Sequence, residues 1–179
     1  MTRRLNLSLL SLPSLALDIE PEILLLTRNG WMPNNARLPL LLYRGVFNGS
    51  GLTEKMEKLM AAHGWEPGWR NGIYPFHHYH STAHEALACS RGEARVIFGG
   101  EGGKEIVLRA GDIALLPCGT GHCRATASSD FLVSGAYALG QNWDLLRAAP
   151  DAAAQQRLNT LPFPQNDPLG NAMRKYWKN

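Results

Sequence analysis

The sequence predicts an all-β fold, a barrel or sandwich with a few flanking helices, and three observations carry that prediction. Glycine and proline are abundant, 18 and 11 of 179 residues, above the roughly 12% that the pair averages, and both favour tight connections over long helices. After Trp65, apolar runs of five to eight residues recur between glycines, the rhythm of short strands and turns. Apolar residues make up 45% and charged residues 18%, a balance that excludes disorder over most of the length. The length suits a single domain over residues 1–179 rather than two.

Residues 1–35 read as an irregular N-terminal extension with a turn signal at Asn29-Gly30. Within it, residues 1–20 carry the outline of a targeting segment, Arg3-Arg4 before an apolar stretch. Asn6, Ser8, Ser11, Pro13 and Ser14 interrupt that stretch and no A-x-A site follows, so export is not expected. Leu38 to Phe47, "LPLLLYRGVF", has the length and composition of one buried strand. A helix follows: Thr53 can cap it, Met56, Leu59, Met60 and His63 share one face, and Gly64 stops it. Strands are then predicted at Ile73 to His80, His84 to Ser90, Ala94 to Phe98, Glu105 to Arg109, Asp112 to Leu116, His122 to Thr126 and Phe131 to Tyr137. Turns at Arg91-Gly92, Gly99 to Gly103, Ala110-Gly111, Pro117 to Gly121 and Ser128 to Asp130 separate them. Residues 141–179 form a tail with a short helix at Asp151 to Leu158.

Charge and cysteine usage narrow the partners. The net charge of +3 is spread thinly, with no cluster longer than Arg3-Arg4 or Arg174-Lys175, so no nucleic-acid partner is expected. No run is long enough to span a bilayer. Cys89, Cys118 and Cys123 are odd in number and lack C-x-x-C spacing, which fits a reducing, cytoplasmic setting.

Four of the six histidines, His77, His78, His80 and His84, fall within eight residues and are followed by Glu85. On extended backbone His78 and His80 point the same way, about 7 Å apart at their α-carbons, close enough to grip one ion. Glu85 lies beyond a short turn, and His122 begins another strand after a proline-glycine turn. Three imidazoles and a carboxylate buried together are costly unless they pair with one another or coordinate a metal ion. His84 is an alternative ligand if Glu85 faces away. Arg124 shares the His122 face by alternation and is either a bidentate anchor for a substrate carboxylate or a rim arginine. Tyr74 and Phe76 line the pocket or fill the barrel, and Cys118 and Cys123 are inert small residues.

These residues also form a spaced pattern. Gly72, five residues, His78-Tyr79-His80, four residues, Glu85, six residues and Gly92 are followed after 18 residues by Gly111, five residues, Pro117-Cys118-Gly119, two residues and His122. The chain thereby resembles the cupins, whose two motifs have this spacing, although Thr126 stands where many cupins carry Asn. Stretches such as "GWRNGIYPFHHYHSTAHE" and "LPCGTGHCRATASSDFLVSGAY" look like the single-domain bacterial YjlB-like cupins, a resemblance that covers most of the chain after Pro21. It implies a double-stranded β-helix (jelly-roll barrel) over about residues 69–140, holding one divalent transition metal through His78, His80, Glu85 and His122. Fe2+ is favoured, with Mn2+, Ni2+, Zn2+ or Co2+ compatible with the same ligands.

The expected function is a metal-dependent enzyme acting on a small oxygen-rich molecule, foremost an Fe(II) dioxygenase or oxygenase, as in the cupin dioxygenases it resembles. Glu85 would alternate between ligand and proton acceptor. The alternatives are a redox-neutral isomerase, cyclase or decarboxylase, and a non-catalytic cupin binding a sugar or organic acid. Family habit adds a homodimer, with Leu38 to Phe47 and Tyr176-Trp177 as candidate contacts.

Overall fold

The computed structural model describes residues 17–178; most of the stretch read as a poor targeting segment lies outside them. Nine strands and two helices follow in the order β1 (Glu22–Leu24), β2 (Leu40–Tyr43), α1 (Leu52–Ala62), β3 (Trp65–Asn71), β4 (Glu85–Arg91), β5 (Glu93–Phe98), β6 (Lys104–Arg109), β7 (Ile113–Leu116), β8 (His122–Ala127), β9 (Leu132–Ala138) and α2 (Ala152–Thr160). They pair antiparallel into a six-stranded sheet, β1-β2-β7-β4-β9-β3, and a three-stranded sheet, β6-β5-β8. This is the jelly-roll that the sequence predicts. The larger sheet also recruits β1 and β2, which precede residue 69.

Alternation along the central strands divides the core in two. Ala86, Ala88, Ile113, Leu115 and Ala136 face Met56, Met60 and Trp177 on the outer side, whereas Leu87, Cys89, Ala114, Leu116 and Val133 face Val96, Phe98 and Leu108 within the barrel. A sheet buried on both faces needs apolar residues at every position, and "EALACS" in β4 supplies a continuous buried run. Small side chains on the outer face let α1 and the C-terminal segment pack close.

Three local expectations are corrected. The helix is capped by Gly51 in the left-handed region rather than by Thr53, whose hydroxyl donates to Ser90 Oγ. β3 lies where the sequence reading placed no strand; Pro67 and Gly68 are tolerated because β3 is an edge strand with its register shift at these residues. Ile73 to His80 is not a strand in either sheet. Its end bridges β8 through His78 and His122, and the loop after β9 through Tyr79 and Leu146. The two stretches expected to meet a partner copy meet each other: the buried Trp177 indole donates to Pro39 O at 2.8 Å, beside β2.

Candidate metal centre

Four elements converge on the floor of a cavity of about 230 Å³ inside the barrel mouth. The Ile73 to His80 crossing carries His78 and His80, β4 opens with Glu85, β8 opens with His122, and β9 carries Tyr137. Paired backbone bonds of 3.2 and 2.9 Å between His78 and His122 fix two of the imidazoles side by side. All four predicted ligand side chains are buried.

The candidate ligand nitrogens of His78, His80 and His122 lie within 4.8 Å of one another. Each ring has its Nδ1 on a backbone carbonyl, Phe76 at 3.0 Å for His78, Thr120 at 3.1 Å for His122, and Asp144 for His80. A carbonyl can only accept, so Nδ1 carries a proton and Nε2 is the nitrogen left to face the centre. Glu85 Oε2 lies 3.4 Å from Nε2 of both His80 and His122, yet has no hydrogen-bond partner. Its other oxygen, Oε1, accepts from the Tyr137 hydroxyl at 3.0 Å, and that hydroxyl accepts from Trp69 Nε1 at 2.7 Å. Trp69 reaches this position because residue 135 is glycine: a Cβ there would lie 2.1 Å from the indole.

The electrostatics agree with a cation site. Burial pushes His78 down, and pushes His122 down to about 3 with help from His78. Burial opposes charge on Glu85 as well, but His80 and His122 outweigh it and hold the carboxyl at about 2. For His80 the desolvation is overcome by the Glu85 carboxylate, so its pKa is raised. A buried carboxylate oxygen that accepts no hydrogen bond and lies 3.4 Å from two Nε2 atoms is costly unless a positive charge sits between them, a proton on His80 or a metal cation in its place. The residues present therefore fit a divalent metal.

His84 is excluded from the centre by alternation with Glu85. Its Nδ1 accepts from Cys118 N at 3.0 Å and its ring packs on Trp177, centroids 5.0 Å apart. Arg124 does not reach the cavity wall: Nε donates to Ile73 O at 2.9 Å. Tyr74 stands at the mouth, while Phe76 stacks behind it. Cys118 is buried and burial pushes its thiol up to about 12, which suits an inert residue. Sequence reading missed Trp143 and Asp144. Both lie on a loop far along the chain, and Asp144 acts on His80 through its backbone carbonyl, which leaves no sequence signal.

No family profile matches the chain. It is 36% identical over 143 residues to the uncharacterized protein YjlB of Bacillus subtilis, covering 79% of this chain and 85% of that one. Among solved structures, a DUF861 family protein from Thermotoga maritima is 21% identical and aligns with 54% of this chain and 96% of its own at a TM-score of 0.35. A Klebsiella pneumoniae protein with a double-stranded beta-helix domain is 17% identical, with 84% of this chain and 100% of its own aligned at a TM-score of 0.34. At such scores these two likenesses add nothing to the strand order above.

Proposed function

The chain belongs to the YjlB-like cupins, and from that premise we propose that it is a metal-dependent cytoplasmic enzyme acting on a small oxygen-bearing molecule, an Fe(II) oxygenase in the first instance. The observation that carries this reading is the orphaned Glu85 Oε2 facing the Nε2 atoms of His80 and His122. His78, His80, His122 and Glu85 would hold the ion, and three neutral imidazoles with one carboxylate leave positions for two adjacent substrate oxygens or for one such oxygen and O₂. When bound, iron(II) supplies electrons to O₂ and draws density from the coordinated substrate oxygens.

The protein's own groups do the rest. Tyr137 holds Glu85 by Oε1 and so aims Oε2 at the centre. Burial and the Glu85 carboxylate push the Tyr137 hydroxyl above its ordinary range, so it stays a neutral donor. Oε2 is also the atom placed to take a proton from substrate. Ile73, Leu87, Trp69 and Trp143 wall the cavity and keep bulk water from the floor.

The test is metal content by mass spectrometry on untagged protein purified without oxygen, followed by oxygen uptake with candidate substrates. Near one iron per chain, with both iron and substrate-dependent oxygen uptake lost in His80→Ala, is the expected result. Turnover that ignores oxygen and accepts zinc, nickel or manganese replaces it with redox-neutral chemistry; a chain that cannot be loaded with any of these ions ends the metalloenzyme reading.

A further inference from the structure

We infer that this site takes a small, flat, largely apolar molecule whose polar oxygens are gathered at one end; the inference rests on the metal reading above and narrows it. What decides the ligand's character is which polar groups around the cavity remain free to meet it.

Along the walls most are already committed. Arg70 is held by both oxygens of Glu57, at 2.7 and 2.6 Å. The Trp69 N–H is given to Tyr137, and the Tyr137 O–H to Glu85. Asn71 Oδ1 accepts from Gly72 N at 2.8 Å. Nearby, Arg124 is tied to the Ile73 carbonyl, and the Arg147 guanidinium sits 4.1 Å over the Phe76 ring. Among the described lining residues, the side-chain polar atoms without such a commitment are those of the floor, the Asn71 amide nitrogen and Arg70 Nη1 on one wall, and, at the mouth, the Tyr74 hydroxyl and the Trp143 indole N–H.

A sugar or a dicarboxylic acid bears hydroxyls or charges on every side, and those facing Trp69, Ile73 and Leu87 would lose water without gaining partners. Each such loss weakens binding by about tenfold to a hundredfold. A body that is apolar away from its two chelating oxygens escapes this cost. The mouth favours a flat body. Trp143 and Tyr74 are 44% and 47% exposed, one edge-on to His80 at 5.6 Å and the other edge-on to His78 at 5.3 Å. Trp143 also stacks on Tyr137 at 17° between planes. Two aromatic rings open to water above two floor imidazoles leave π-faces that an inserted ring would cover. The volume of about 230 Å³ falls below the roughly 300–1,000 Å³ of sites for drug-sized ligands, which sets the scale at about one ring.

The experiment uses cobalt(II)-loaded protein without oxygen and follows the cobalt absorption bands while 4-methylcatechol or tartrate is added. Both probes offer adjacent oxygens; only the first is flat and apolar at its far end. The catechol should bind at least about tenfold tighter, and this preference should fall about three- to tenfold in Trp143→Ala and in Tyr74→Ala. Using the ratio of the two affinities removes any general weakening of the centre, and two variants on different loops guard against one that misfolds. Equal affinity for tartrate, or a preference that survives both substitutions with the cobalt bands intact, overturns the ligand class and leaves the metal reading standing. A wild-type chain that takes up no cobalt overturns both.

Discussion

Three buried histidines and a fourth, His84, lie on opposite sides of the larger sheet, and they have opposite hydrogen-bond polarity. Inside the barrel, His78, His80 and His122 donate from Nδ1 to carbonyls, and His80 and His122 set Nε2 3.4 Å from Glu85 Oε2. On the outer side, His84 accepts a backbone N–H at Nδ1 and packs on Trp177; its proton therefore resides on Nε2, and neither nitrogen offers a lone pair. Burial is common to both. The direction of the Nδ1 hydrogen bond is what separates a ligand from a packing residue.

The sharpest way to break this comparison is to truncate one histidine on each side. His80→Ala removes an Nε2 from the centre, as the metal assay above reads. His84→Ala should keep the metal at wild-type stoichiometry while lowering stability by about 2–4 kcal/mol in urea unfolding, since it opens a cavity against Trp177 and strips the Cys118 N–H of its acceptor. Metal loss in His84→Ala would erase the distinction.

Acid should act on both sides in the metal-free protein. His122 and His84 are held neutral, down to about 3 and about 4, so between those values and the ordinary 6.5 the unfolded chain binds more protons and stability falls as pH falls. Glu85, held at about 2, contributes stability that is present above pH 4.5 and lost toward pH 2. Urea midpoints should therefore decline from pH 6.5 downward, with Glu85→Gln flattening the lower part of the curve; a flat wild-type profile would contradict the site electrostatics.

The smallest effect concerns how Glu85 is aimed. Tyr137→Phe leaves all four ligands but removes the donor to Oε1, and metal affinity should drop by about tenfold, measured by competition with a chelator of known strength. Unchanged affinity would show that Glu85 holds its orientation by packing alone.

The parts of the fold visible in the sequence are those set by local pattern. The H-x-H pair, the proline-glycine turn before His122 and the apolar runs of β4, β5 and β7 survive in the structure because each depends on nearby residues. β3 escaped notice because Pro67 and Gly68 argue against a strand, and only its edge position admits them. Ile73 to His80 has strand composition but divides its hydrogen bonds between β8 and a distant loop, which no local pattern reports. At the site, alternation paired His78 with His80, and the motif spacing added Glu85 and His122; Arg124 shares the His122 face, but its guanidinium is drawn to Ile73. The Trp69–Tyr137–Glu85 chain joins three strands and needs the bare Gly135 surface, a juxtaposition that exists only after folding.

The loop that carries Trp143 also carries Asp144, whose carbonyl orients His80 and whose carboxylate accepts from Ser81 N, Ser81 Oγ and Thr82 N. Consecutive residues thus have unrelated duties, one shaping the entrance through its side chain and the next anchoring a ligand through its main chain. Selection can exchange the ring at position 143 while residue 144 still keeps His80 in place. For a lineage or a laboratory library, the entrance is a variable module on a constant base, and position 143 is where new preferences can arise without rebuilding the centre.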